Sequence, residues 1–445
     1  MRIIIAGAGE VGLHLAKMLS REELDVVLID TDGDVLTEVE NNYNLIAIEG
    51  SPTSFETLKR AGVNEADLFL AVTPNEAHNI VACTIASQMG ATKTVARIDN
   101  YEYTRPEHKS YFKSMGVDDL IYPELLACEE VMAAMKHTWA RSWFELHDGA
   151  LVLIAVKLRE NASILNRKLY ELAGSNTIFH IAAIKRHNHT IIPRGQDEVQ
   201  IGDIVYFTTT PEYVEGIREI CGKEQVNVKN IMILGGSRIA IRIAATMGDD
   251  VRIKLFEIDR EKSYKLVEKM RNTTIIQGDA RDEELLSEEG IADTDMFIAL
   301  SDSSETNILA CLTAKQMGVP RTVAEVEDIQ YIAVAENLNI GTVINKKLIA
   351  ASRIFQLLLD TDSTNAKCLA LADAEVVELV AKPNSKITRR IVKELNLPND
   401  MTLGGVIHNG VGTIVTGNTQ IEANDHVLVF CLDTALGKLD QWFGR

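Results

Sequence analysis

The chain has 445 residues, 46% hydrophobic and 24% charged, with a formal net charge of −19. At roughly 100–200 residues per domain, that length implies two to four globular domains with real cores. The acidic excess repels nucleic-acid phosphates and anionic lipid, which argues against a nucleic-acid partner.

Residues 1–50 alternate strand and helix signals. "RIIIAG" reads as a buried strand, 11–20 as a helix, "DVVLID" (25–30) as a strand, 31–41 as a helix and "LIAIEG" (45–50) as a strand. The pattern continues with a helix at 54–62, "LFLAVT" (68–73), a helix at 78–89 and "KTVARI" (93–98). Such βαβ alternation builds a doubly wound, Rossmann-like parallel sheet. Between the first strand and helix stands Gly7-Ala8-Gly9-Glu10-Val11-Gly12. Gly7 permits the tight turn, Gly9 lets backbone approach a pyrophosphate, and Gly12 lets the helix pack close to the strand. Free N–H groups at the helix start then receive the phosphate. Asp30 ends the second strand, where a carboxylate accepts bonds from ribose hydroxyls and disfavours a 2′-phosphate. NAD(H) is therefore favoured over its phosphorylated form, and ATP or ADP, with the same ribose, stay open. Ser51, Thr73 and Pro74 close the next two strands in the same crevice. Arg97, in the fifth strand, could reach a phosphate or form a salt bridge at a sheet edge.

The chain is then written a second time. A shift of 228 places "NIVACTIASQMGATKTVA" (79–96) on "NILACLTAKQMGVPRTVA" (307–324). A shift of 222 brings Gly195 onto Gly417 and Asp203 onto Asp425, in segments of alternating apolar and polar residues typical of small β-rich modules. The resulting organisation is a first N-lobe at 1–122, a helical connector at 123–145, a small α+β C-lobe at 146–222, a second N-lobe at 229–346, a connector at 347–366 and a second C-lobe at 367–440. The connectors "LLACEEVMAAMKHTWARSWF" (125–144) and "LIAASRIFQLLLD" (348–360) are apolar on more than one face. They must pack against something, such as a neighbouring subunit.

The second glycine loop, Gly235-Gly236-Ser237-Arg238-Ile239-Ala240, keeps one of the three glycines in place. Glu257 replaces Asp30, Asp279 and Ser301 replace Ser51 and Thr73, and Glu325 reverses the charge of Arg97. This copy reads as a weaker site, a site for a less charged ligand, or an empty structural copy.

The six cysteines form no CxxC pair and none clusters with histidines, so reduced buried thiols and no metal centre are expected. The apolar start feeds a glycine turn rather than a cleavage site, so no signal peptide is expected. No apolar run nears the ~18–20 residues of a membrane helix. A dehydrogenase needs a proton-moving residue beside the nicotinamide. His14, His78 and His108 are the histidines on the nucleotide side, and none completes a catalytic set. A nucleotide site without catalytic partners suggests a sensor, with an NAD-linked oxidoreductase as the alternative.

On "IIIAGAGEVG", "VVLIDTD", "EGSPTSFETLKRAGV", "LFLAVTPNEAHN" and "TVARI", their counterparts in the second half, and "IIPRGQDEVQIGDIVYF" with "IVTGNTQIEANDHVLVF", the chain resembles two tandem RCK units. These are TrkA-N plus TrkA-C lobes, as in the TrkA family of peripheral regulatory subunits of Trk potassium-uptake systems. The resemblance implies a non-enzymatic cytoplasmic protein, peripheral on the inner face of the membrane. It implies a tetramer whose eight N-lobes form a ring beneath a TrkH/TrkG-like potassium channel subunit, and nucleotide-driven gating. Its carried-over binding positions are Gly7 to Gly12, Asp30, Ser51, Thr73, Pro74 and Arg97. The sequence departs from the family at Asp99, where a second basic residue is common, and at the eroded second loop with Glu325.

Overall fold

The computed structural model describes every residue except 21–23, 148, 173–177, 188, 360–368, 372–373, 433–434, 436–437 and 445. It divides into two compact units, Met1–Cys128 with Asn345–Leu358, and Glu129–Ile344 with Leu359–Arg445.

In the first unit, Ile3, Ile4, Ile5 and Ala6 are all fully buried, because a parallel sheet carries helices on both faces and hides every residue of its central strand. The elements are β1 (Arg2–Ala6), α1 (Glu10–Leu19), β2 (Asp25–Asp30), α2 (Gly33–Asn42), β3 (Ile46–Glu49), α3 (Phe55–Arg60), β4 (Leu68–Ala71), α4 (Glu76–Gln88), β5 (Lys93–Arg97), α5 (Pro106–Ser114) and β6 (Asp119–Ile121). The sheet order is β3-β2-β1-β4-β5-β6, with every neighbouring pair parallel. This is the doubly wound order, and its chain reversal lies between β1 and β4. The expected strands and helices are present, with ends shifted by a few residues. The sixth strand was not anticipated: at three residues, β6 is too short to show a period. It pairs Ile121 with Arg97, so β5 is internal rather than the edge imagined for Arg97.

The helix α14 (Lys346–Leu359) joins this unit. Ala350, Ala351, Ile354 and Leu357 lie in one apolar cluster with Ile3, Ile5, Val11 and Leu15. The second connector thus spends one apolar face inside its own chain, on the first N-lobe. The remainder of that connector, 360–366, and Cys368 lie outside the described residues.

The first connector is shorter than its apolar pattern suggests. Helix α6 (Pro123–Lys136) stops, and residues assigned to the connector become β7 (Ser142–Leu146) of the first C-lobe. Trp139 belongs to that lobe's apolar cluster and Trp143 packs on it, so these aromatics serve sheet packing rather than a helix face. After β7 come β8 (Leu151–Lys157), α7 (Leu169–Leu172), β9 (Phe179–Arg186), β10 (His189–Ile191), β11 (Ile204–Thr209) and α8 (Val214–Ile220). The sheet is antiparallel in the order β10-β9-β11-β8-β7.

The second N-lobe repeats the first. It contains β12 (Asn230–Leu234), α9 (Arg238–Thr246), β13 (Arg252–Glu257), α10 (Arg260–Lys269), β14 (Thr273–Gln277), α11 (Glu283–Glu288), β15 (Met296–Ala299), α12 (Ser304–Gln316), β16 (Arg321–Glu325), α13 (Ile329–Asn337) and β17 (Thr342–Ile344). Its order, β14-β13-β12-β15-β16-β17, matches that of the first lobe. The second C-lobe has β18 (Leu369–Leu371), β19 (Ala374–Val380), β20 (Met401–His408), β21 (Val411–Ile414), β22 (His426–Leu432) and α15 (Leu439–Phe443).

The two C-lobes pack on each other. Leu151, Leu153 and Tyr206 of one share a buried cluster with Val376, Ile407 and Phe430 of the other. The approach is close: a Cβ on Gly412 would fall 2.2 Å from the Ala150 carbonyl oxygen. Across this face Arg194 Nη2 donates to the Met401 carbonyl at 3.2 Å.

Candidate nucleotide site

Each glycine of the first loop meets a different constraint. Gly7 has φ +113, and a Cβ there would lie 2.9 Å from the Thr73 amide nitrogen. A Cβ on Gly12 would fall 1.8 Å from the Gly7 carbonyl oxygen, so only glycine lets α1 start this close to β1. Gly9 has nothing within 4 Å in its Cβ direction. The loop is therefore closed at its two ends and open at its middle, facing the ends of the strands.

Asp30 closes the floor of this loop. One carboxylate oxygen accepts the Ala8 N–H at 2.5 Å, and the other accepts the Asp32 N–H at 3.0 Å. No cation pairs with Asp30 among the described residues, so each oxygen keeps lone-pair capacity for a hydroxyl. Thr73 and Pro74 follow β4, and Ser51 follows β3, where its hydroxyl lies 2.9 Å from Thr53 Oγ1. The strand ends after β4 and β5 are latched by a residue whose role was missed. Asn79 Oδ1 accepts the Thr73 N–H at 2.9 Å, and its Nδ2 donates to the carbonyls of Thr73 and Arg97, both at 2.9 Å. Its recurrence as Asn307 was the signal that could have revealed it. Asn307 makes the same bonds to Ser301 and to the Glu325 carbonyl.

Arg97 Nη2 lies 3.4 Å from Asp99 Oδ1. Of its two anticipated roles, the ion pair is present, on an internal strand. Glu10, at the start of α1, pairs with Lys347 of α14. That cation was also missed, because no local pattern links residues so far apart. His78 is exposed in the first turn of α4, and His108 Nδ1 lies 2.6 Å from the Glu102 carbonyl oxygen.

The second loop keeps the backbone turn and surrounds it with other side chains. Gly235 has φ +91 and would clash with Leu300 in the same way that Gly7 would with Thr73. The Gly236 N–H donates to Glu257 Oε2 at 3.0 Å, as Ala8 does to Asp30. Here the resemblance ends. Glu257 is 5% exposed, and Lys262 Nζ sits 2.8 Å from the same Oε2. Burial pushes its carboxyl up, but Lys262 and the two backbone donors outweigh this and hold it below the usual range. Leu266 takes up the room left by the missing side chain of Gly236, the counterpart of Ala8, its Cδ1 2.2 Å from a Cβ placed there. Ser237 is occupied as the N-cap of α9, accepting the Ala240 N–H; Arg238 and the buried Ile239 follow in the helix. Asp279 is clamped by Arg281, at 2.6 Å from Nη2, and Glu325 is buried.

Sequence spacing suggested no metal set, yet three side chains able to act as metal ligands converge between the C-lobes. His147 Nδ1 and His426 Nδ1 lie 3.0 and 2.9 Å from the same Glu378 oxygen. This trio has the donor set of a first-row divalent ion. The five described cysteines, at 83, 128, 221, 311 and 431, are buried and in no disulfide.

The TrkA-N domain family matches residues 3–123 and 231–346, and the TrkA-C domain family matches 153–222 and 376–444. The chain belongs to the TrkA family of Trk system potassium uptake proteins. Its relatives include the Azorhizobium caulinodans protein of that name, 30% identical over 100% of this chain and 98% of its own. The Haemophilus influenzae protein is 30% identical over 97% of this chain and 96% of its own. In fold the chain is similar to the GsuK RCK domain, with TM-score 0.59 and 14% identity over 99% of this chain and 94% of that one. It is also similar to the GsuK channel bound to NAD, with TM-score 0.60 and 16% identity over 99% and 78%. No helix among the described residues is long and apolar enough to cross a membrane.

Proposed function

We propose that this protein is the nucleotide-sensing regulatory subunit of a Trk-type potassium channel, acting at the cytoplasmic face of the membrane and without catalysis of its own. The observation that carries the proposal is the contrast between the two acids. Asp30 holds its loop by two backbone N–H groups and pairs with no cation among the described residues, whereas Glu257 is sealed by Lys262. The first lobe therefore offers an open Gly9, free helix-start N–H groups and a receptive carboxylate to NAD(H), with ATP or ADP as alternative ligands. Ser51, Thr73, Pro74 and Arg97 line the same ends of the strands. The second loop, Gly235 to Ile239 with Glu257, Asp279 and Ser301, is a structural copy that holds the fold.

The coupling element is α14. It follows the second N-lobe in sequence, packs on the first, and places Lys347 on Glu10 at the glycine loop. A phosphate arriving at the start of α1 competes with Glu10 for local positive charge and biases this helix, which a sensor requires. The membrane partner is a TrkH/TrkG-like subunit, and the assembly is a tetramer presenting eight N-lobes as a ring. The relatives' names and the fold shared with a channel domain solved with NAD support this reading. The test is potassium flux through the co-purified membrane subunit with and without each nucleotide. Nucleotide-dependent flux lost in Gly9→Asp is expected; flux indifferent to nucleotide refutes the sensor. NADH turnover on a substrate panel would instead support an oxidoreductase.

A further inference from the structure

In the second unit, a cleft of ≈ 290 Å³ opens where the first C-lobe, the segment after it and the second N-lobe meet. Six cations line it: Arg141, Lys157 and Arg159 from the C-lobe side, Lys223 from the connecting segment, and Lys315 and Arg321 from the N-lobe. One acid, Glu224, shares the lining, and it contributes its backbone carbonyl to Arg321. The chain carries 64 acidic and 45 basic residues, so a six-to-one excess of cations in one cleft runs against its overall balance.

Three of the cations are held by carbonyl groups, which position them without neutralising them. Arg141 Nη2 donates to the Gly341 carbonyl at 3.0 Å, Arg321 Nη1 to the Pro320 carbonyl at 2.9 Å, and Lys315 to the Asn339 carbonyl. Arg141 Nη1 and Arg321 Nε are buried with no acceptor. Among the described residues, the side chains of Lys157, Arg159 and Lys223 have no ion pair. Glu336, an acid of the second lobe whose charge reaches Arg141 and Lys157, is taken by Lys185 at 2.7 Å. Burial, then the neighbouring Arg159, pulls the Lys223 ammonium down to about 8. Lys157 and Lys315 are depressed by the same two causes, burial and cationic neighbours. Unpaired buried donors and crowded like charges both cost free energy, and a ligand with several anionic oxygens relieves both at once.

We infer that this cleft is a second ligand site, separate from the glycine loop, that binds a phosphate-rich anion of the triphosphate class. Trp139 is the one aromatic in the lining and it is buried, so recognition falls on the phosphate chain and not on a base. Occupancy would tie the first C-lobe to the second N-lobe, giving the half whose own loop acid is paired a ligand input of another chemistry.

The test uses the full chain carrying Gly9→Asp, so that the first loop is out of play and its failure is not confused with this one. Inorganic tripolyphosphate and ATP are titrated by calorimetry at about 0.15 M salt. Saturable binding of tripolyphosphate at one per chain is expected. It should weaken at least tenfold in Lys157→Gln/Arg159→Gln/Lys223→Gln, whose three side chains support no other residue. The exposed single variant Arg159→Glu should weaken it as well, which covers the case of a triple variant that does not fold. Both variants should melt no lower than the parent, because repulsion is relieved. ATP binding as tightly as tripolyphosphate, and displaced by it, assigns the cleft to a nucleotide's phosphate tail; binding of tripolyphosphate alone assigns it to a free polyphosphate. Absence of saturable binding, or affinity unchanged in folded variants, overturns the site.

Discussion

The two N-lobes share a sheet order, a latch asparagine and a backbone turn, yet they spend the same space differently. In the first, the middle of the glycine loop is empty and the acid beneath it is held only by N–H groups. In the second, Lys262 of α10 binds the acid, and Ser237 stands in place of Gly9 with its hydroxyl capping α9. A duplicated fold can thus keep the turn and the latch that hold the backbone while the acid beneath the loop becomes paired. The lesson is that backbone conservation between repeats concerns folding, while ligand capacity depends on which side chains reach the loop.

The largest test of this contrast concerns helix packing. Gly12→Val drives a side chain into the Gly7 carbonyl and should cost more than the ~1–3 kcal/mol of ordinary overpacking, read as a lower urea midpoint. The equivalent position in the second lobe is already Ala240, fully buried. Ala240→Gly should cost only about 1 kcal/mol, the helix-propensity difference. Equal losses would mean that the two turns are packed alike.

Next comes ligand binding. Asp30→Ala removes a charged acceptor and should weaken adenosine-nucleotide binding by about 1.5–3 kcal/mol, measured by calorimetry. Glu257→Ala should leave that affinity unchanged and show instead as stability lost at neutral pH, a difference from the parent that vanishes in acid. The sign follows from its lowered carboxyl: the stabilisation is present above the unfolded value near ~4.3 and is lost as pH falls through the folded one. Nucleotide affinity that depends on Glu257 would reverse the assignment of roles.

The smallest effect compares the C-lobes. Asp203 and Asp425 each cap a turn, accepting the N–H of Gln200 and of Glu422 at 2.8 Å. The first is paired with Arg186 at 2.8 Å, the second with His408 at 2.6 Å. Asp425 raises the His408 pKa through a hydrogen bond and its charge. A raised histidine contributes stability that is full below the unfolded value near ~6.5 and is lost as pH rises through the folded one. Nuclear magnetic resonance titration should place His408 above an ordinary histidine, and His408→Arg should abolish the pH dependence, making the second lobe behave like the first. A His408 midpoint at or below the ordinary value would contradict this.

Much of this was legible in the sequence because it is local. The glycine spacing and the acid at the end of β2 are short-range patterns, and the structure places both at the strand ends, with Asp30 on the Ala8 N–H. The residues that were missed act over long separations. Lys347 meets Glu10 across most of the chain, His147 meets Glu378 and His426, and six cations from three segments share a cleft. Helix periodicity also misread Trp139 to Phe144, since aromatics that serve a C-lobe sheet look identical to an apolar helix face. In the second loop the substitutions from glycine were visible, but the pairing of Glu257 by Lys262 was not, because it depends on how α10 lies against the loop.

The central claim is that one N-lobe of each chain binds nucleotide and the other does not. Calorimetric titration of the full chain with NADH tests it most directly when Gly9→Asp and Ser237→Asp are measured beside the parent. Asp is as good a helix N-cap as Ser, so Ser237→Asp keeps its fold. The account predicts one NADH per chain for the parent and for Ser237→Asp, and no detectable binding for a folded Gly9→Asp. Two NADH per chain, or binding that survives Gly9→Asp and disappears in Ser237→Asp, would contradict it.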